Sequence, residues 1–149
     1  MGTLLSDLLH NNALIAAVLA WLVAQLLKTL VALVRDRKLD LGHMVSPGGM
    51  PSAHSALVTA LATAIARLYG VQSSLFAVAA VFAGVVMYDA AGVRLAVSRQ
   101  ARILNRMIDD FFHSRGFDEH RLRELVGHTP VQVIVGALLG FVFGLLFTL

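Results

Sequence analysis

The stretch GGMPSAHSALVTALATAIARLY, residues 48 to 69, joins a turn-forming loop to an unbroken run of small and apolar residues. From Ala53 to Tyr69 it contains no proline or glycine, and small side chains recur every four residues, which predicts a helix with one small, weakly polar face. Small residues let helices approach closely within a membrane bundle, so we expect this helix at the centre of the fold. Two sets carry the repeat: Ser55, Thr59 and Thr63, and Ala56, Ala60 and Ala64.

The rest of the chain is strongly apolar. Of its 149 residues, 58% are hydrophobic and 14% are charged, whereas a soluble domain is about half apolar and about a quarter charged. The absence of cysteine excludes disulfides and thiolate metal sites. The composition predicts an all-α membrane protein, a single domain over residues 1–149 with about four transmembrane helices. The other three apolar segments run from Ala13 to Val34, from Leu75 to Tyr88 and from Val131 to Leu149.

Basic residues are concentrated in two connections. Arg35, Arg37 and Lys38 follow the first apolar segment, and seven arginines lie between the third and the fourth. With four spans both groups fall on one side of the membrane, which the positive-inside rule makes cytoplasmic. We therefore expect a protein of the cell (inner) membrane with both termini outside. The seven arginines are Arg94, Arg99, Arg102, Arg106, Arg115, Arg121 and Arg123.

Residues 90 to 112 are predicted to form a helix that extends the third apolar segment on the cytoplasmic side. Leu104, Ile108 and Phe111 form one apolar stripe, while the arginines occupy other faces. Such a helix either lies on an anionic membrane surface or packs against the bundle with its arginines in solvent. The sequence leaves both interpretations open.

Polar residues of an unusual kind lie on the predicted cytoplasmic side. Lys28 and Arg35 are seven residues apart, which on a helix gives an offset of about 20° and a rise of roughly 10 Å, so both can reach one ligand. Ser52 is a predicted N-cap, which places His54 in a first helical turn where N–H groups favour an anion. In the simpler interpretation Lys28 reaches the membrane interface, Arg35 anchors the topology, and His54 is incidental.

A second histidine precedes the last apolar segment. Thr129, Pro130 and Gln132 fit the N-cap, first and third positions of a capping box. That pattern explains these three residues without any function, but it does not explain His128. Two histidines are therefore expected at helix starts on the same side of the membrane.

Asp89 and Arg94 lie where the third apolar segment ends. An ionisable group at membrane depth is costly and is a functional candidate, with a structural ion pair as the alternative. Together with two histidines and a lysine, this set suits a phosphate monoester or diphosphate. Cations neutralise the phosphate oxygens, one histidine attacks phosphorus, and the other protonates the leaving oxygen. Two histidines with Asp89 could instead hold a metal ion.

The chain resembles the membrane phosphatidic acid phosphatase type 2 family, which is related to the vanadium haloperoxidases. The motifs of that family are K-x6-R-P, P-S-G-H and S-R-x5-H-x3-D. This chain has Lys28 and Arg35 at the first spacing, the run 51–54 (PSAH) for the second, and His128 for the third. The runs GGMPSAHSA, YDAAGVR and LVGHTPVQVIVGALLG make it similar to the small divergent branch of the superfamily, over nearly the whole chain.

The resemblance implies a metal-independent phosphatase, without a cofactor, that acts on a lipid phosphate or an isoprenoid diphosphate at the cytoplasmic face. It implies that His128 is the nucleophile that forms a phosphohistidine and that His54 is the general acid for the leaving group. It also implies that Lys28, Arg35 and the region of Ser52 bind the phosphate.

The third motif departs from the family pattern. Gln132 stands in place of the aspartate, and the serine and arginine positions hold Arg121 and Leu122. Since Gln132 cannot act as the carboxylate that orients a nucleophilic histidine, we expect Asp89 to take that role. The missing arginine is expected to be replaced by Arg94 rather than by Arg121 or Arg123. In the first motif, Asp36 takes the place of the proline.

Other functions stay open at this stage. The altered third motif and the arginine-rich helix also fit a catalytically degenerate membrane protein that binds anionic lipid or phosphate, or that scaffolds a partner. A small oligomeric transporter and a haloperoxidase have less support. The expected partners are the lipid substrate and membrane lipids, not nucleic acid. The family core has six helices, so four spans imply either a reduced fold or a homodimer.

Overall fold

Helices account for nearly all of the chain that can be described. The structure, a computed structural model, describes residues 2–36, 49–112 and 128–148. Within those ranges there are six helices and no strand, so the predicted all-α class is confirmed. The helices are α1 Gly2–Leu9, α2 Asn12–Asp36, α3 Ala53–Tyr69, α4 Ser74–Ala91, α5 Val93–Phe112 and α6 Pro130–Leu146.

Short polar residues and glycine set the helix limits. Asn11 precedes α2, and its side-chain oxygen accepts a hydrogen bond from the Leu14 N–H at 3.0 Å. Ser73 caps α4 in the same way, accepting from the Phe76 N–H at 3.2 Å. α3 ends at Gly70, whose φ of 83° is a conformation that glycine adopts without strain. The Asn11 and Ser73 side chains satisfy N–H groups that have no acceptor within their own helix.

α3 is the central helix, as the sequence predicts. It packs against α2, α4 and α6. Ala56, Ala60 and Ala64 on its small face are fully buried, which confirms that the four-residue repeat faces other helices. The core around α3 is made largely of alanine, because short side chains allow close approach of helix backbones. The buried alanines from the neighbouring helices are Ala13, Ala16, Ala20, Ala24, Ala79 and Ala83.

α6 packs on α3 through a row of glycines at four-residue spacing, Gly136, Gly140 and Gly144. A Cβ added at Gly140 would overlap the Ala56 carbonyl oxygen, and one at Gly136 would overlap the Ser52 carbonyl oxygen. The two backbones are therefore in direct contact, a geometry in which only glycine leaves enough room. The glycine row was not identified from the sequence, although its spacing is visible there.

α5 is a separate helix rather than a continuation of α4. α4 runs three residues beyond the predicted end at Tyr88, and its last turn closes with a 2.8 Å hydrogen bond from the Gly92 N–H to the Tyr88 carbonyl oxygen. Gly92 interrupts the helical assignment, and α5 starts at Val93. The predicted helix over 90–112 is thus present, but it is divided from the apolar segment by one residue.

Two helices in the described ranges are long and apolar enough to cross a membrane, α4 and the part of α2 from Asn12 to Val34. α3 and α6 have 17 residues each, about 26 Å against a hydrocarbon thickness of about 30 Å. Four spans therefore stay a prediction. The outward faces carry large apolar side chains, as a lipid-facing surface does. Examples are Val78, Val81 and Phe82 on α4 and Ile134, Leu138 and Phe141 on α6.

Candidate functional site

The loop before α3 is fixed by buried hydrogen bonds. The Ser52 hydroxyl oxygen accepts from the Ser55 N–H at 3.4 Å and from the Ser55 hydroxyl at 2.9 Å, and both serines are fully buried. Ser52 is thus the N-cap that the sequence predicts. His54 lies between the two serines, in the first helical turn, and is exposed. The cap therefore holds the backbone of the histidine while leaving its side chain at the surface.

Lys28 approaches the same loop from α2. Its side chain is only 6% exposed, which is unusual for lysine. Gly49 lies against it, since a Cβ added at Gly49 would be 3.0 Å from Lys28 Cγ. The φ of Gly49 is +88°, a conformation that other residues rarely adopt. Gly49 therefore lets the loop that leads to His54 pass directly over the lysine.

α6 begins with a capping box that also contacts His128. The Thr129 hydroxyl oxygen accepts from the Gln132 N–H at 3.4 Å, and Gln132 Oε1 accepts from the Thr129 N–H at 3.0 Å. Pro130 occupies the first turn, as the sequence predicts. The same Oε1 lies 3.3 Å from His128 Nδ1, and His128 is 5% exposed. The cap therefore fixes a buried histidine next to the helix start.

One backbone hydrogen bond joins the two helix starts. The Ser52 N–H donates to the Gln132 carbonyl oxygen at 3.0 Å, so the loop before α3 is attached to the first turn of α6. His54 and His128 consequently lie at the same end of the bundle. The N–H and hydroxyl of Ser52 serve these protein contacts, and its predicted role in binding phosphate stays a prediction.

His54 and His128 line the same cavity, whose volume is about 320 Å³. That volume is at the lower end of the range for small-molecule sites. α4 forms the rest of the wall, which includes the half-buried Asp89. The remaining lining residues are apolar: Val85, Val86 and Ala90. The cavity therefore combines two imidazoles and a carboxylate with an apolar wall. Val85 and Val86 were not predicted from the sequence as residues of the site.

The positions of the predicted arginines along the helices are as follows. Arg35 follows Lys28 by seven residues within the single helix α2, so the spacing used in the sequence argument is present. Arg94 is the second residue of α5, five positions after Asp89. Arg121 and Arg123 lie outside the described residues.

Gln132 makes the contact to His128 that the sequence argument assigns to Asp89. Glutamine is not a carboxylate, but its amide oxygen can accept a hydrogen bond from a ring N–H. The spacing of four residues between His128 and Gln132 is the feature that could have revealed the pair. The orienting role of Asp89 stays a prediction, and its place on the cavity wall is compatible with it.

A metal site receives no support from the described ranges. Within them, no group of three or more histidine, aspartate or glutamate side chains is arranged to hold a metal ion. His54, Asp89 and His128 share the cavity without forming such a group.

Comparisons with known proteins identify the family of the chain. The divergent PAP2 family matches residues 9–143, a range that includes both histidines. The chain is 41% identical over 150 residues to the uncharacterized membrane protein YuiD of Bacillus subtilis (strain 168), covering 93% of this chain and 95% of that protein. No solved structure matches the chain. A match over this length shows that the chain belongs to the divergent PAP2 family.

Proposed function

We propose that this protein is a membrane phosphatase that hydrolyses a lipid phosphate or an isoprenoid diphosphate through a phosphohistidine intermediate. The observation that carries the proposal is the presence of His54 and His128 on one cavity, each at the start of a helix. Membership of the divergent PAP2 family supports it. Two histidines provide both functions that the reaction requires, a nucleophile and a proton donor.

In the first proposed step, a neutral ring nitrogen of His128 attacks phosphorus. The N–P bond forms while the bond from phosphorus to the ester oxygen breaks, and the electron pair leaves with that oxygen. The imidazolium of His54 gives it a proton. In the second step water attacks phosphorus, the N–P bond breaks, and His54 takes the proton of the water. The products are inorganic phosphate and the alcohol, or the monophosphate when the substrate is a diphosphate.

Cations near the loop are proposed to bind the phosphate oxygens. Lys28 lies against the loop that leads to His54. Arg35 and Arg94 are proposed to bind the phosphate together with Lys28. The positive end of the α3 dipole favours an anion at this position. Asp89 on the cavity wall is proposed to favour the imidazolium that forms during the attack. No step in this scheme uses a metal ion, so activity is expected to persist in EDTA.

The apolar side of the cavity supports a lipid substrate. Val85 and Val86 line the cavity beside the histidines, and Val85 is 62% exposed on the outward face of α4. A hydrocarbon chain attached to the phosphate could therefore pass from the cavity onto the apolar surface of this helix. A sugar phosphate would leave its hydroxyl groups against the valines without hydrogen-bond partners.

The site is proposed to face the cytoplasm, with α5 on the membrane surface. The buried side of α5 carries Ala101 and Asn105, while Leu104 and Met107 are exposed and apolar. Arg102 and Arg106 are exposed on a further face. An apolar face next to an arginine face suits a helix that lies on anionic lipid.

Fluorescent labelling tests this placement of α5. The chain has no cysteine, so Leu104→Cys gives one site for an environment-sensitive NBD label. Arg106→Cys, on the opposite side of the helix, is the matched control. In vesicles that contain phosphatidylglycerol, we expect blue-shifted emission at position 104 and water-like emission at position 106. Water-like emission at both positions would refute the placement.

Phosphate release from a panel of substrates tests the proposed function and the role of His54. We expect detergent-purified protein in EDTA to release phosphate from phosphatidate or a prenyl diphosphate, but not from glycerol phosphate. His54→Ala is expected to lower the rate by about 100- to 10,000-fold. The rate of the first turnover, in which the leaving group departs, should fall much less with p-nitrophenyl phosphate, whose leaving group needs no proton. An equal fall of the first-turnover rate with both types of substrate would argue against a general acid.

A catalytically degenerate protein that binds anionic lipid or phosphate is the second candidate. The observation that favours it is the neutral Gln132 at the position of the family's carboxylate. This candidate predicts saturable binding of phosphatidate without phosphate release. The same cavity would then serve as a binding site, and replacement of His128 would change the affinity rather than a rate.

A further inference from the structure

We propose that Gln132 is the positioning residue for His128, and that a neutral amide here replaces the carboxylate of the family's third motif. This inference rests on the proposed function, because a nucleophile is what needs to be positioned. It departs from the assignment of Asp89 made from the sequence. The evidence is the set of contacts that one glutamine makes in the first turn of α6.

The hydrogen bonds identify the atoms involved. The Thr129 N–H lies 3.0 Å from the terminal Oε1 of Gln132, and an N–H requires an acceptor, so this atom is the oxygen and not the amide nitrogen. His128 Nδ1 lies 3.3 Å from the same oxygen. Since the oxygen can only accept, Nδ1 carries the proton. In the neutral ring the lone pair is then on Nε2, which becomes the nucleophilic atom.

The chemical consequence of an amide differs from that of a carboxylate. Both fix the ring orientation and the tautomer, but a carboxylate also favours the protonated ring, which has no lone pair for the attack. Gln132 holds the ring without adding a negative charge. The other titratable groups that line the cavity are His54 on α3 and Asp89 on α4. Compared with a carboxylate at this position, the amide therefore leaves more of His128 in the neutral form that can attack phosphorus.

Gln132 also connects the two histidine segments. Its backbone carbonyl oxygen accepts the Ser52 N–H at 3.0 Å, while its side chain accepts from His128 and Thr129. The same residue thus fixes the nucleophile and the helix start that carries the general acid. Only the side-chain contacts are removed by substitution, so the connection through the backbone stays intact in the variants below.

Three variants separate positioning from capping. Gln132→Leu removes the contact to His128 together with half of the capping box. Gln132→Glu keeps the capping box, since glutamate serves at this position, and adds a charge. Thr129→Val is the matched control, because it removes the other half of the box and keeps the histidine contact. The measurements are the ¹⁵N spectrum of histidine-labelled full-length protein in micelles, with His128 assigned from the His128→Ala spectrum, and the pH dependence of kcat.

We expect the wild type and Thr129→Val to show the Nδ1–H tautomer of His128, and Gln132→Leu to show a mixture. kcat should fall about 10- to 100-fold in Gln132→Leu with little change in KM. In Gln132→Glu the titration midpoint of His128 and the acidic limb of the kcat profile should move together to higher pH. An Nε2–H tautomer in the wild type would overturn the proposal, and so would equal losses of kcat in Thr129→Val and Gln132→Leu. A wild type without turnover would overturn the proposed function instead, while the spectra would still decide whether Gln132 sets the tautomer.

Discussion

His128→Ala is expected to lower phosphate release from the preferred lipid substrate by on the order of 10,000-fold or more. The physical reason is that His128 forms the bond to phosphorus in the proposed mechanism, and neither alanine nor a neighbouring group can form that bond. The fold is expected to survive, because the Thr129 N–H keeps its acceptor in Gln132 Oε1. Loss of turnover in a folded variant therefore isolates the chemistry from the start of α6.

The measurement is initial-rate phosphate release in EDTA, with His10→Ala as the matched control. His10 lies just after α1, and its Nδ1 is 2.6 Å from the Ser6 carbonyl oxygen of that helix. It does not line the cavity, so its replacement should leave the rate unchanged. Retention of more than a tenth of the wild-type rate by His128→Ala would exclude the assigned nucleophile.

Gly140→Ala is expected to destabilise the fold by about 1–3 kcal/mol, and Gly140→Leu by more. A Cβ at this position would overlap the Ala56 carbonyl oxygen and lie 2.9 Å from the Ala60 nitrogen. Backbone atoms in a helix cannot turn away as a flexible side chain can, so α6 must separate from α3. The added apolar contact does not offset this, because the packing along the whole glycine row is lost.

The single tryptophan provides the readout. Trp21 packs against the alanine cluster between α2, α3 and α6, together with Leu139 and Phe143, so its fluorescence reports on this packing during denaturation in SDS. Gly84→Ala is the matched control, because a Cβ at Gly84 would meet nothing within 4 Å. It should be neutral or stabilising by about 0.5–1 kcal/mol. Equal stability of Gly140→Ala and the wild type would refute the close packing of α3 and α6.

Much of the fold could be predicted from local patterns. The range Ala53–Tyr69 of α3 follows from its composition and from the Ser52 cap, and the capping box of α6 follows from the order of Thr129, Pro130 and Gln132. These features depend on residues within one turn of each other, which sequence spacing describes directly. α1 was not predicted, because an eight-residue helix gives too short a pattern to be distinguished from a loop.

Features that depend on two distant segments were harder to predict. The glycine row of α6 was visible as a repeat, but its partner, the Ala56 side of α3, is known only once the helices are packed. The contact between Gly49 and Lys28 was not predictable either, because it depends on how α2 and α3 are placed relative to each other. The charge distribution predicts that His54 and His128 lie on the same side of the membrane, while the cavity that they share also requires the end of α4.

The contact between His128 and Gln132 was not predicted from the sequence. The family pattern has an aspartate four residues after the histidine, so a carboxylate was expected, and the orienting role given to Asp89 stays a prediction. The structure adds a 3.3 Å contact from His128 Nδ1 to Gln132 Oε1. This contact requires a hydrogen-bond acceptor and not a charge, so the four-residue spacing was the feature that could have indicated it.

The most direct test of the central claim is to trap the phosphorylated protein. Wild-type protein would be mixed with ³²P-labelled phosphatidate or prenyl diphosphate, quenched within one turnover, and digested for mass spectrometry. The account predicts a phosphoramidate on His128 that survives alkali and is cleaved by acid, and no label in His128→Ala. Turnover without any label on the wild type, or a label on a different residue, would contradict the claim that His128 carries the phosphoryl group.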